Sequence, residues 1–229
     1  MPSTPTEAGT NKIIHEHVFE RVSQAIISGQ FSPDSTISVR KLASEYGVSA
    51  MPAREAIRRL VAMGALEMTD TRRITLAKMS ESKMSEIRVA RLALEPFLAV
   101  KAWETVSTSA RAKKRLVEQL VKHDADIDAA INSGDVSSYA RSNSAFHFSL
   151  YRASEASVVL GLVESLWLQF GPFMRVVIGR LGTAWLKDDK HKDAVAALRN
   201  DDPALLESAI TADISEGMDK ISEADFQSV

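Results

Sequence analysis

The chain has 229 residues, of which 45% are hydrophobic, so it is long enough for one large domain or two ordinary ones. The formal net charge is −2, which excludes bulk attraction to nucleic acid. There is no cysteine, which excludes disulfides and thiolate metal sites and is typical of a reducing cytoplasm. Because no apolar run reaches transmembrane length and no signal-peptide pattern is present, we expect a soluble, cytoplasmic protein without a membrane partner.

The first elements are a loose tail and an amphipathic helix. Residues 1–11 contain almost nothing to bury, so we expect a disordered tail. A helical pattern follows and ends at Gly29, and residues 31–34 predict a turn. The apolar positions of this helix are Val18, Val22, Ala25, Ile26 and Ile27.

The next stretch predicts two short helices joined by a tight turn. Gly47 supplies the positive φ that ends the first helix, Ser49 can cap the second, and Pro52 is tolerated in its first turn. The apolar positions at helical spacing are Val39, Leu42, Ala43 and Tyr46, then Ala53, Ala56, Ile57 and Leu60.

Three arginines lie on or beside the outward face of the second helix: Arg54, Arg58 and Arg59. Guanidinium groups at this spacing suit phosphates and guanine edges. The alternative is a surface helix whose arginines pair with neighbouring acids such as Glu55. The context favours DNA binding, because residues 65–68 and 74–77 predict two short strands around a basic turn. Three helices and a hairpin describe a winged helix.

Residues 13–77 resemble the DNA-binding domain of the GntR family of bacterial transcription regulators. The run Gly-Val-Ser-Ala-Met-Pro-Ala-Arg-Glu-Ala-Ile-Arg-Arg-Leu at 47–60 is similar to the family's Gly-Val-Ser-Arg-x-Pro-Val-Arg-Glu-Ala-Leu-x-x-Leu. There are two departures. Ala50 replaces an arginine, and Arg73 stands where the wing usually has glycine, so Arg73 either reaches the minor groove or reshapes the turn. The resemblance implies a DNA-binding domain at 12–78 with operator contacts from Arg40 and Arg54. We expect further operator contacts from Ser49, Met51, Arg58, Arg72 and Arg73.

From Ser80 onward the sequence predicts long helices and no convincing strand. Two helices end before Gly134, and further helical segments cover 136–153, 156–180, 184–200 and 203–222. An antiparallel bundle of six or seven helices over residues 79–229 is the economical architecture. The predicted fold is therefore mainly α, a winged helix-turn-helix followed by this bundle.

Four polar residues in the predicted bundle form a candidate metal site. Asn143 and His147 are one helical turn apart, His191 begins a later helix, and Asp213 lies on the next one. Two imidazoles and two side-chain oxygens suit a divalent metal such as Zn²⁺, Ni²⁺ or Mn²⁺. The alternative is a polar cluster that holds buried water.

Residues 84–222 resemble the FCD effector domain that follows the winged helix in FadR-like GntR regulators. The matching pieces are residues 88–96, 143–147, 191 and 201–203. Many FCD domains bind a metal through an Asp, a His four residues later, and two further His. By this resemblance the ligands fall on Asn143, His147, His191 and Asp213, so Asn replaces Asp and Asp replaces the last His. Because two ligands are substituted, we expect metal binding that is either weaker or lost.

The resemblance also implies a small organic acid as effector, with Arg91 facing the bundle cavity as its bidentate clamp. The competing interpretation pairs Arg91 with Glu95 in a helix salt bridge. The further candidates are Arg88 and Arg175; Trp167, Phe170 and Phe173 either line the same cavity or belong to the core.

The function predicted from these features is that of a ligand-responsive transcription regulator, a homodimer on a palindromic operator. One rival is a metal-dependent hydrolase or lyase that uses His147 and His191 with a bound water. Another is a direct metal sensor. We interpret His123 with Asp124, Asp126 and Asp128 as a solvated helix face rather than a second metal site.

Overall fold

A computed structural model describes residues 7–31, 36–181 and 190–222, with side chains at 14–31, 36–173 and 190–219. The described residues form nine helices and a two-stranded sheet, in agreement with the predicted mainly α fold. In chain order these are α1 (Glu7–Ile27), α2 (Val39–Tyr46), α3 (Ala50–Ala62), β1 (Leu66–Met68), β2 (Ile74–Leu76), α4 (Glu81–Ser107), α5 (Ala110–Ser133), α6 (Val136–Arg152), α7 (Ser157–Leu181), α8 (His191–Asn200) and α9 (Pro203–Ser222).

The first five elements form the expected winged helix. Helix α3 packs against α1 and α2, and its apolar stripe is buried. Strands β1 and β2 are antiparallel, with Leu66 opposite Leu76, and Ile37 forms a bridge to Ile74 beside them. The buried apolar side chains from α1, α3 and the strands pack together and belong to a hydrophobic core that also includes residues of the later helices.

Helix α1 begins earlier than the sequence pattern indicated. It starts at Glu7, inside the stretch 1–11 that was expected to be a disordered tail. Glu7 and Ala8 favour a helix, whereas Gly9, Thr10 and Asn11 disfavour one, so this stretch is helical as a continuation of the amphipathic helix that follows it. Residues 1–6 lie outside the described part of the chain, as does most of the turn expected at 31–34.

The turn between α2 and α3 follows the predicted chemistry with one exception. Gly47 has φ 65° and its N–H donates to the carbonyl of Ala43, as a left-handed helix end requires. Ser49 occupies the N-cap position of α3, but its hydroxyl forms no capping hydrogen bond. Such a hydroxyl normally bonds the N–H of the second or third helical residue, and the third residue is Pro52, which has none.

The second part of the described chain is a bundle of the six helices α4 to α9. Helix α4 packs against α5, α6, α7 and α9, so it runs through the centre of the bundle. The helical segment expected from residue 184 is described only from His191, because residues 182–189 lie outside the described ranges. Among the described residues, no helix is both long enough and apolar enough to cross a membrane.

Helix α7 of the bundle also forms hydrogen bonds to the winged helix. The hydroxyl of Ser165 and the side-chain amide of Gln169 both donate to the backbone carbonyl of Met63, at 2.8 and 3.1 Å. Met63 is the C-cap of α3, the predicted recognition helix. Farther along α7, a Cβ at Gly171 would lie 2.8 Å from the Cα of Ile27, so the absence of a side chain permits the close approach of α1.

We predict that Gly171→Ala lowers the free energy of unfolding by about 1–3 kcal/mol, because backbone atoms of α1 must move away. The matched control is Gly161→Ala on the same helix, where a Cβ meets open space. That variant should be more stable than the wild type by about 0.5–1 kcal/mol, since alanine is the better helix former. Urea denaturation measures both values, and equal effects of the two substitutions would contradict the close contact.

Candidate nucleic-acid interface and candidate metal centre

Two of the three arginines on α3 form an exposed arginine face. Arg54 and Arg58 are both exposed. Nη1 of Arg58 lies 3.2 Å from Oε2 of Glu55, one turn earlier, and both side chains of this pair are about half or more exposed. Exposed pairs of this kind contribute little to stability, so a phosphate can replace Glu55 at little cost.

Arg59 is turned away from this face. Its Nη1 donates to Oε2 of Glu16 on α1 at 2.8 Å, and its guanidinium stacks over the ring of Phe19 at 3.7 Å. The interpretation that arginines pair with neighbouring acids therefore holds for Arg58 with Glu55, while Arg59 pairs with Glu16 and ties α3 to α1. The sequence pattern could not separate it from Arg58, because the neighbouring helix α1 decides which arginine is engaged.

The remaining expected DNA contacts are also exposed. Arg40 lies in the first turn of α2, beside Ser38, which caps that helix. At the wing tip the N–H of Thr69 donates to the carbonyl of Arg73 at 2.8 Å, which closes the turn. The left-handed residue is Arg72, with φ 60°, rather than Arg73. The complete expected set is exposed on the winged helix: Arg40, Ser49, Met51, Arg54, Arg58, Arg72 and Arg73.

Three of the four expected metal ligands meet in the bundle. His147 on α6, His191 on α8 and Asp213 on α9 have ligand atoms that lie within 4.8 Å of one another. The two Nε2 atoms are 3.4 Å apart, and Asp213 oxygens lie 3.2 Å from Nε2 of His147 and 3.7 Å from Nε2 of His191. Ligand atoms around a tetrahedral Zn²⁺ with ordinary bond lengths are roughly 3.3 Å apart. The donor set therefore fits a divalent ion.

This cluster is buried and carries charge. Both histidines are 1% exposed, and the Asp213 side chain is 16% exposed. Burial opposes ionisation of Asp213, yet the charge of His191 and a hydrogen bond from His147 hold its pKa well below the usual range. Asn143 is buried one helical turn before His147, so periodicity places it on the same face of α6. Two imidazoles, a carboxylate and a nearby amide are thus drawn from three helices.

The second ring nitrogen of His147 leads to a buried network that the sequence did not predict. Nδ1 of His147 is 3.0 Å from the hydroxyl of Tyr151, and that hydroxyl donates to Oε2 of Glu95 at 2.7 Å. Burial, together with the Glu95 carboxylate, raises the pKa of Tyr151 well above 10.0, so the hydroxyl keeps its proton. The i, i+4 spacing of His147 and Tyr151 on one buried helix face was the available signal.

Glu95 is the centre of this network. It is fully buried and accepts hydrogen bonds from Nε and Nη2 of Arg91, at 2.6 and 3.2 Å. Tyr151 and Nε1 of Trp167, the latter at 3.1 Å, complete four donors on one carboxylate. Burial alone would lower the pKa of Arg91, but the Glu95 carboxylate raises it above the usual range. The salt-bridge interpretation is therefore confirmed, and Arg91 is not a clamp without an acid partner.

The other effector candidates have separate surroundings. Trp167 and Phe170 are core residues that stack on the Arg91 guanidinium, at 4.6 and 4.7 Å. Phe173 is also buried. Arg88 lies at the edge of the bundle, 3.1 Å from Oδ1 of Asp219. The side chain of Arg175 lies outside the described residues.

The cluster around His123 has structural partners instead of a shared ion. Nε2 of His123 is 3.2 Å from Oγ of Ser149, and burial lowers the pKa of His123. Lys192 on α8 lies within 3.4 Å of Asp124 and 3.1 Å of Asp128, so these acids join α5 to α8. Within the described residues, the acids and imidazoles grouped closely enough for a metal are His147, His191 and Asp213.

Comparison with known proteins supports the division into these two sites. The model of the bacterial regulatory proteins of the gntR family matches residues 14–76, and the FCD domain model matches residues 86–216. The HTH-type transcriptional regulator McbR of Escherichia coli K12 is 25% identical over 201 residues, which cover 85% of this chain and 88% of McbR. The gluconate operon transcriptional repressor of Bacillus subtilis 168 is 24% identical over 211 residues, which cover 86% and 81% of the two chains.

The fold agrees with a solved structure. The structure of E. coli McbR/YncC aligns with a TM-score of 0.81 at 20% identity, over 92% of this chain and 97% of that chain. These relatives are named as transcription regulators, which supports regulation of transcription over the hydrolase or lyase alternative. The FCD match alone covers more than half of the chain, and the gntR match adds the winged helix. The chain therefore belongs to the GntR family of bacterial transcription regulators, in the FadR-like group that carries an FCD domain.

Proposed function

We propose that this regulator binds a palindromic operator as a homodimer, and that a small organic acid bound through a divalent metal controls its operator affinity. The metal ligands are His147, His191 and Asp213. One observation carries the coupling part of the proposal: helix α7 contacts both the network behind these ligands and the end of the recognition helix. The division between the two functions lies near residues 78 and 79.

DNA recognition is assigned to the exposed arginine face. Arg54 and Arg58 on α3 would enter the major groove, while Arg40 and the wing residues Arg72 and Arg73 would meet the phosphate backbone. Because Ala50 removes an arginine that many family members carry at this point, we expect an operator that differs from theirs. The two wing arginines supply charge that compensates for that loss.

Exposed apolar residues support a homodimer. On α4, Val89, Ala93 and Phe97 are exposed at helical spacing, and on α7 so are Val158 and Leu162. Exposed large apolar side chains repeated along a helix face are typical of a surface that another chain covers. A two-fold dimer would present two recognition helices to the two halves of a palindrome.

The donor set at the candidate metal centre supports an acid effector. Three protein ligands leave coordination positions to which a carboxylate or hydroxyl oxygen can bind, and the metal supplies Lewis-acid attraction for that oxygen. Because Glu95 already holds Arg91, we assign the primary anchor to the metal. Nη1 of Arg91 contacts Sδ of Met218 at 3.5 Å, and sulfur is a weak acceptor that an acid oxygen can replace.

Helix α7 provides a route from this site to the DNA. Trp167 bonds to Glu95, whereas Ser165 and Gln169 hold the carbonyl of Met63 at the end of α3. An effector that binds more tightly to one placement of α7 shifts the winged helix towards that placement. The change in operator binding free energy cannot exceed the difference in effector binding free energy between the two placements.

We predict that Arg54→Ala weakens operator binding by about 1–3 kcal/mol, since it removes a guanidinium from the arginine face. The operator is first selected from random DNA with the wild-type protein, and affinities are then measured by gel shift. The matched control is Arg111→Ala on α5, which removes an exposed arginine from the bundle and should bind as the wild type does. Wild-type affinity of Arg54→Ala would refute the assigned recognition face.

We predict that metal-stripped protein is stabilised by added Zn²⁺, Ni²⁺ or Mn²⁺, by about 2.7 kcal/mol when the ion is at a hundredfold its Kd. Thermal melting measures this gain, which should vanish in His147→Ala. His123→Ala is the control, because His123 pairs with Ser149 outside the cluster, and it should keep the gain. An unchanged melting temperature of the wild type would refute the metal site.

We predict that an organic acid which chelates the metal changes operator affinity of the metal-loaded wild type but not of His147→Ala. Sugar acids are tested first, because a relative is named as a gluconate operon repressor. Gel shifts are run with metal alone and with metal plus acid. A full response to metal alone would favour the direct metal sensor instead. Equal affinity with and without every acid that the protein demonstrably binds would refute effector control.

A further inference from the structure

We propose that Tyr151 is a positioning residue that holds His147 in the tautomer with hydrogen on Nδ1, which leaves the lone pair of Nε2 for a metal ion. The inference concerns the same site as the proposed function, and it rests on that proposal's claim that His147, His191 and Asp213 bind a metal ion. It concerns residues behind the ligands, so its test can be separated from the test of the metal site.

Donor and acceptor counting assigns the protons. The Glu95 carboxylate meets four groups that are all donors in this geometry, two from Arg91 and one each from Tyr151 and Trp167. A phenol has one proton, and that of Tyr151 is directed to Oε2 of Glu95 at 2.7 Å. The phenol oxygen can then only accept at its other contact, so Nδ1 of His147, at 3.0 Å, must be the donor.

The consequence appears at the opposite ring nitrogen. A neutral imidazole with hydrogen on Nδ1 has a lone pair on Nε2. Nε2 of His147 lies 3.2 Å from a carboxylate oxygen of Asp213 and 3.4 Å from Nε2 of His191. A lone pair so close to a carboxylate is repelled unless a cation lies between them. In the metal-free protein with a charged His147, that cation is a proton on Nε2, through which His147 donates to Asp213, and a bound metal ion would replace this proton. The arrangement therefore favours a cation at the meeting point of these atoms.

The network also explains why Arg91 and Glu95 form a buried pair. The pair and Trp167 hold the Glu95 carboxylate in place, so the acceptor for Tyr151 is fixed. Tyr151 itself is fully buried, and its ring lies against those of His147 and Phe148. A hydrogen-bonded partner behind a metal-binding histidine fixes the ring orientation and raises its basicity, and loss of such a partner typically weakens metal affinity 10–100-fold.

The test compares Tyr151→Phe with the wild type. Nitrogen-15 NMR of the histidine rings, in metal-free protein at a pH where the imidazoles are neutral, distinguishes the two tautomers. Competition with a chromogenic chelator measures Zn²⁺ affinity. We expect hydrogen on Nδ1 of wild-type His147, and in Tyr151→Phe a mixed tautomer population with Zn²⁺ affinity lowered about 10–100-fold.

Tyr46→Phe is the matched control, since it deletes the same hydroxyl from α2 in the DNA-binding domain. It should leave both readouts unchanged. Hydrogen on Nε2 of the neutral His147 ring in the wild type would overturn the proposal without any variant. The proposal would also be overturned if the Tyr151→Phe variant kept the wild-type tautomer of His147 and the wild-type Zn²⁺ affinity.

The two proposals fail in different ways. If the wild type binds no Zn²⁺, Ni²⁺ or Mn²⁺, the metal site of the proposed function is wrong, and with it the metal-directed purpose of Tyr151. If the wild type binds metal and Tyr151→Phe has the same His147 tautomer and Zn²⁺ affinity as the wild type, the metal site stands and the role of Tyr151 is overturned.

Discussion

The arrangement of the bundle depends on the buried carboxylate of Glu95. A carboxylate removed from water is strongly destabilising unless charge and hydrogen bonds compensate for the lost hydration. Here the compensation comes from Arg91 on the same helix, Tyr151 on α6 and Trp167 on α7. The helices α4, α6 and α7 must therefore stay in fixed positions relative to one another if the Glu95 carboxylate is to keep its hydrogen bonds.

That constraint connects the two functional regions. Tyr151 continues from Glu95 to His147, a candidate metal ligand, while Trp167 belongs to the helix that also bonds the carbonyl of Met63. A change at the metal centre and a change at the end of the recognition helix therefore act on the same helices. Together with helix α7, these hydrogen bonds form a continuous physical connection between the two regions, which is the basis for the coupling that we propose.

Much of the fold was predictable because local rules and burial agree. Gly47, Pro52 and the apolar spacing of α3 predicted the helix-turn-helix, and the wing followed from two short strands around a basic turn. Site prediction was less complete. His147, His191 and Asp213 do converge. The i, i+4 spacing of His147 and Tyr151 was a signal for one link of the network, but the bond from Tyr151 to Glu95 joins two helices and leaves no periodic pattern in the chain.

The amino-acid sequence alone was enough to predict the order of the elements, the arginine-bearing recognition helix and the residue types available for a metal. These depend on spacing along one helix or turn, which neighbouring residues specify. The choice between alternatives of equal spacing depended on tertiary packing. It buried the pair of Arg91 with Glu95, and it gave Arg59 a partner on α1 while Arg58 pairs with Glu55 on its own helix. The reason is physical: the partner and the burial of a charged side chain are set by which helix packs beside it, and that information lies in the packing of segments distant in sequence.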